Sequence, residues 1–363
     1  MKRRNYNVDL LRCILMVMIV MHHTIVHALG IEKLNQGIVN IPYGDAIIFL
    51  LNGFVIVGVN CFFAISGYFG IKFHPKKIGK LLLDMIIYSF ACNTFDYFIL
   101  QGQPLNMIYV KMAIKDIIFP FRWWFMNAYF ALCFVAPIIN RGLESLEPHE
   151  LRFAMVSTSL VYFFFGFLLK QSNGYTFIQA AYIYSLVREL KLLGYFDRIK
   201  NNKNVLLYIL CAFMTGGLSY LLYIRQHGTM SWLIFNYANP LIVIGAISFF
   251  SLFVKGNMTG EENKLAVSCS YISKNVLGVY LISESTNNMV KMIFSPTLHF
   301  ISNFPYSLLW IIAILINAIV IFIICICIDK LKDALLALIG KSSIIKTLIE
   351  KLFQLSFWPK NSY

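Results

Sequence analysis

Residues 12 to 23 read "RCILMVMIVMHH", an apolar stretch that opens on an arginine and closes on two histidines. Ionisable groups inside a bilayer are costly and therefore mark a function. From Arg12 to His23 an α-helix turns through about 1100°, three turns plus about 20°, so one face carries both side chains about 16 Å apart along the axis. Asp9 and His27 fall within about 60° of that stripe, whereas His22 points about 80° to the other side. Asp9 stands one turn from Arg12 and is expected to pair with it.

A neutral imidazole can take the proton from an attacking hydroxyl or accept an acyl group itself, because histidine titrates close to working pH. Arginine offers a planar fork of donors suited to phosphate. Blander roles stand beside these: a snorkelling interface anchor for Arg12 and hydrogen-bond bridges for the histidines, most readily for His22. His23 and His27, four residues apart, suit a metal, but the sequence offers no third ligand, so no metal is expected.

The elements that must position this stripe are membrane helices. The chain has 363 residues, 59% hydrophobic and only 13% charged, outside the balance of a soluble domain. Segments of about 20 apolar residues can span a bilayer, and about ten are legible, near 10–30, 46–70, 80–100, 122–140, 151–170, 175–193, 204–224, 235–254, 273–295 and 305–329. The expected fold is therefore all-α and polytopic, with a membrane domain over 1–330 and an amphipathic helix on the inner membrane surface over 331–363. The first segment is too long for a signal-peptide core and is expected to remain in the mature protein. Loops on the side of the N-terminus hold most of the 31 Lys and Arg, among them Lys72, Lys76, Lys77, Lys80, Arg198, Lys200 and Lys203, so both termini are expected in the cytoplasm. The net charge of +14 is thus an inner-rim feature, and no basic, aromatic-interleaved module for nucleic acid is present. The 8 cysteines lack CxxC or paired spacing and read as packing residues. No fixed-period repeat and no broken-helix pair of the transporter kind is legible.

Four motifs in order resemble the acyltransferase-3 family of integral membrane acyltransferases. "NVDLLRCILMVMIVMHH" carries the family's arginine, ten residues, histidine pattern. "FFAISGYF" is similar to its SGF/SGY signature, "RWWFMNAYFALCFVAPIIN" to its W-F helix ending near a proline, and "ISKNVLGVYLIS" to its late S-x-G-x-Y-L-I helix. Two positions depart from the pattern. Lys77-x-x-Lys80 stands where the family often has Arg-x-x-Arg, and Ser283 with Glu284 stand where it often has a histidine.

The resemblance implies a multi-pass enzyme of the bacterial cytoplasmic membrane that acylates a cell-surface polysaccharide or its lipid-linked precursor. Acyl-CoA, with acetyl as the expected acyl group, serves as co-substrate and no cofactor is bound. In that scheme His23 and Arg12 are catalytic, while Asp9, Lys76, Lys77, Lys80, Ser66, Gly67, Tyr68 and His27 bind substrate. Close helix packing is an equal reading for Ser66 and Gly67, an aromatic belt at the outer interface is the favoured reading for Trp123 and Trp124, and Glu284 is free to pair with Lys274 or Lys291 or to face the acceptor. From other classes, an exporter that flips the glycan without chemistry and a non-catalytic scaffold compete. The apparent lack of broken helices argues against the first, and the Arg12 to His23 registry against the second.

Overall fold

The computed structural model describes residues 5–169, 174–255, 264–304 and 307–339, and these contain helices and connecting turns with no strand. The helices are α1 (Tyr6–His23), α2 (Ala46–Val55), α3 (Gly58–Phe69), α4 (Pro75–Phe95), α5 (Met107–Ile118), α6 (Trp124–Glu144), α7 (Pro148–Val161), α8 (Phe177–Leu192), the short α9 (Tyr195–Arg198), α10 (Asn201–Ile224), α11 (Gly228–Ile234), α12 (Pro240–Val254), α13 (Lys264–Ile272), α14 (Val276–Ser283), α15 (Asn287–Asn303) and α16 (Ser307–Ile339). Each of the ten apolar windows contains helix among its described residues. Among the described residues six helical runs are long and apolar enough to cross a membrane: Tyr6–Ala28, Ala46–Phe69, Pro75–Leu100, Pro148–Leu168, Asn201–Ile224 and Leu308–Leu338.

The helix carrying the stripe lies inside the bundle, packed by α3, α13, α14 and α16. Its start is fixed by Asn5, whose side chain accepts from the backbone N–H groups of Asn7 and Val8 and so satisfies two orphan donors. Leu11, Leu15 and Val20 on this helix are wholly buried. Outer helices do the reverse. Phe153 on α7, Leu206 on α10 and Ile316 on α16 are 75%, 58% and 56% exposed, faces that water penalises and lipid accepts. Gly53 on α2 and Gly216 on α10 let those two helices approach until a Cβ on either would strike the other's backbone, the close packing that small residues permit in membranes.

Two of the apolar segments are interrupted, contrary to the expectation of no broken helix pair. The apolar segment 46–70 turns at Ile56–Val57 between α2 and α3, and the apolar segment 273–295 stops at Ser283 and restarts at Asn287. The second break has a legible cause: the Thr286 side chain accepts from the Met289 N–H at 3.2 Å, an N-cap that begins a new helix. The boundary expected at 330/331 falls within α16, which runs without interruption to Ile339. Residues 340–363, most of the expected amphipathic tail, lie outside the described residues.

Candidate functional site

The stripe of α1 begins at an ion pair. Arg12 Nη1 lies 2.9 Å from Asp9 Oδ1, and Ser273 Oγ donates to the same carboxylate oxygen at 3.1 Å. Beside them opens a cavity of about 190 Å³ that Arg12, Lys274, Ser66 and Tyr129 line with Met16, Ile65, Phe125 and Tyr280. Two cations and mostly apolar side chains line it.

The other end of the stripe is reshaped by a π-helical turn, Thr24–Ala28, that continues α1 directly after His23. Thr24 Oγ1 donates back to the Val20 carbonyl at 2.8 Å, a backbone bond of the type that bends helices, and π turns recur at functional sites. The wider turn presents His23 and His27 to one acid from another element. His23 Nδ1 lies 2.9 Å from Glu284 Oε1, His27 Nε2 lies 3.4 Å from Glu284 Oε2, and His27 Nδ1 lies 2.9 Å from Glu32 Oε2. The result is a chain of alternating carboxyls and imidazoles, Glu32, His27, Glu284, His23. The His23 contact lies off the hydrogen-bond direction, and both its side chains are largely shielded, at 12% and 18% exposure.

Glu284 sits at the break between α14 and α15, so the interruption of that segment is what lets a carboxyl turn toward α1. The break is itself held. Arg122 Nη1 donates to the Ser285 carbonyl at 2.8 Å, while its Nη2 lies 3.7 Å from Asp116. Asp116 in turn accepts from Ser89 Oγ at 3.0 Å and from the Asn93 amide.

His23 stands between cavities. Its ring centroid is 6.4 Å from that of Tyr280, which also lines the Arg12 cavity. On the other side it opens to a cavity of about 600 Å³ whose walls include Trp124, Tyr175, Trp232 and Tyr237, with Asn236 and Glu284. Trp124 stacks on Tyr237 with ring centroids 5.7 Å apart. A further cavity of about 510 Å³ adjoins His27, Glu32 and Lys291.

The expected site residues divide accordingly. Asp9 pairs with Arg12, which lines the first cavity with Ser66, whereas His23 and His27 meet at Glu284 and line the second, so the stripe divides between two cavities. Gly67 and Tyr68 do not line it. A Cβ at Gly67 would collide with the Tyr184 backbone of α8, and the Tyr68 ring packs against Phe196 and Phe250 beneath the Lys191 ammonium. Both are packing residues, because a helical stretch this short cannot turn three consecutive side chains to one side.

Lys76, Lys77 and Lys80 lie exposed on the first turns of α4, outside the Arg12 cavity. Lys274 occupies the place beside Arg12 instead. His22 is buried with its Nδ1 2.6 Å from Asn52 Oδ1. The tryptophan pair departs from the belt reading: Trp123 is 2% exposed and Trp124 faces the His23 cavity. Glu284 pairs with neither Lys274 nor Lys291 but with the two histidines. Glu32, Tyr280 and Arg122 were missed. Glu284 announced itself as an intramembrane acid, whereas nothing local distinguished Glu32 or Arg122.

Among the described residues no group of three or more His, Cys, Asp or Glu is arranged to hold a metal ion. A family model described as an acyltransferase domain matches residues 5–329. No curated protein and no solved structure matches the chain.

Proposed function

The chain belongs to the acyltransferase family whose model spans residues 5–329, and on that premise we propose that it moves an acyl group, acetyl first, from cytoplasmic acyl-CoA to a hydroxyl of a cell-surface polysaccharide or its lipid-linked precursor. The observation that carries this reading is the position of His23, backed by Glu284 and standing between a cavity lined by two cations and mostly apolar side chains and a cavity with aromatic walls. A thioester donor and a sugar acceptor ask for those two environments. The two cations suit the donor's phosphates, with Arg12 as a fork and Lys274 as a point charge, and Lys80 lies one residue from Leu81 in the lining. The apolar lining suits the pantetheine arm. Aromatic faces suit sugar rings. With the N-terminus in the cytoplasm, the donor enters from inside and the acceptor from the opposite side.

The reaction follows from this arrangement. His23 takes the proton of the acceptor hydroxyl as its oxygen attacks the thioester carbonyl. The C–S bond breaks, the acyl group stays on the sugar oxygen, and the leaving thiolate receives the proton from the imidazolium. Glu284 at His23 Nδ1 orients the ring and stabilises the cation formed midway, the role a carboxylate plays behind a histidine base. Arg12 holds donor phosphate, and Asp9 holds Arg12. His27 and Glu32 keep Glu284 in place.

A glycan exporter shares one feature of this structure, the broken apolar segment 273–295 with its charged break. Mass spectrometry of surface glycan from cells with and without the gene separates the two. Loss of an acyl mass at unchanged glycan amount supports acyl transfer. Loss of glycan with no acyl difference overturns it.

A further inference from the structure

On the flank of the bundle away from α1, a cavity of about 540 Å³ opens between α7, α8, α9 and the start of α10. Arg152, Arg198, Lys200 and Lys203 line it, all exposed, and among the described residues none of the four has a carboxylate partner within ion-pair distance. Four cations around one concavity offer a headgroup phosphate several charge partners at once. The arrangement is held rather than accidental. Lys255 at the end of α12 donates to the Ile199 carbonyl and so fixes the turn that carries Arg198 and Lys200.

The floor of the cavity is apolar, with Met155, Leu190 and Leu193. Met155 is shared with a second cavity of about 330 Å³, an almost wholly apolar groove that runs between α7, α8 and α12 past Leu186, Val243 and Ile244. Polar head and apolar slot are therefore continuous at one residue.

We infer that this cup and groove form a binding site for an anionic glycerophospholipid, with its phosphate among Arg152, Arg198, Lys200 and Lys203 and one acyl chain in the groove between α7 and α12. The glycerophospholipid is favoured over a soluble phosphate because the groove continues the cup along the exposed apolar side chains Val156 and Leu160 of α7 and Ile244 of α12. A free anion makes no use of it. The site rests on the membrane reading of the chain and is independent of the acyl-transfer reading.

The test uses the purified full-length protein in phosphatidylcholine nanodiscs titrated with phosphatidylglycerol, with bound lipid counted by native mass spectrometry. Wild-type protein should retain phosphatidylglycerol selectively. Arg198→Gln together with Lys203→Gln should weaken it about 30-fold, the effect of two charges near a headgroup. Ile244→Trp, which fills the groove and leaves every cation in place, should also reduce retention. Lys111→Gln with Lys115→Gln removes two charges from α5 and should change nothing. Thermal midpoints in pure phosphatidylcholine identify any variant that fails to fold, and the groove and cup variants are read separately. Equal retention of phosphatidylcholine, unchanged affinity in the cup variant, or an equal loss in the α5 control overturns the proposal. Displacement by coenzyme A alone overturns it in favour of a soluble nucleotide, and a marked preference for a polyprenyl diphosphate overturns the glycerophospholipid assignment.

Discussion

Replacing Glu284 with Gln keeps the size and shape of the side chain at the helix break and removes only its charge. In the proposed reaction His23 becomes cationic as it takes the acceptor's proton, so the 2.9 Å contact with Glu284 matters most at that moment. The contact is off the hydrogen-bond direction at rest and tightens into one only as the imidazolium forms, when a hydrogen bond to a charged group contributes about 1.5 to 3 kcal/mol; solvent screens it little, since the two side chains are 12% and 18% exposed. At about 1.4 kcal/mol per decade, kcat should fall about 10- to 150-fold. KM for acyl-CoA should hardly change, because the donor's phosphates meet Arg12 some three turns away. Glu32→Gln supplies the comparison. That side chain is 49% exposed and acts through His27, so its loss should cost no more than about fivefold. The assay is transfer of labelled acetyl from acetyl-CoA to glycan in inverted membrane vesicles, normalised to protein amount. A Glu284→Gln enzyme with wild-type kcat, or one as mildly affected as Glu32→Gln, refutes the role given to the carboxyl.

His23→Ala should abolish acylation, a loss of about 10²- to 10⁴-fold, at near-normal abundance. His22→Ala should instead lower abundance, because it strands the buried Asn52 amide that His22 contacts at 2.6 Å, while activity per molecule survives. Lys332→Met should destabilise the fold by about 3 to 5 kcal/mol, since Lys332 Nζ lies 2.6 Å from Asp84 and 2.8 Å from Asp329. A lower thermal midpoint in detergent with unchanged KM checks it. In a background without native cysteines, Cys at Lys33 or Lys115 should react with an impermeant thiol reagent in intact cells and Cys at Lys77 or Lys200 should not. The opposite pattern would reverse the orientation and the side from which the donor enters.

The registry of Arg12 with His23, and the pairing of Arg12 with Asp9, were legible in the sequence because both depend only on the rotation of one α-helix. The membrane class was legible for a similar reason, since spanning a bilayer demands long apolar segments whatever they pack against. The N-cap that breaks the apolar segment 273–295 was also written locally, in Ser285 and Thr286 after Ser283, although it reads as an interruption only once the chain is seen to restart there.

The partners of the histidines were decided by the tertiary structure alone. Glu284 lies 261 positions from His23, and no helical period connects residues so far apart. The Arg122 clamp on Ser285 and the meeting of Trp124 with Tyr237 have the same origin. Spacing along a chain prescribes which side chains share a face, but which faces meet follows from how all the helices pack at once. That packing put Lys274 rather than Lys77 or Lys80 beside Arg12, and turned Tyr68 toward Phe196 and Phe250 instead of toward the site.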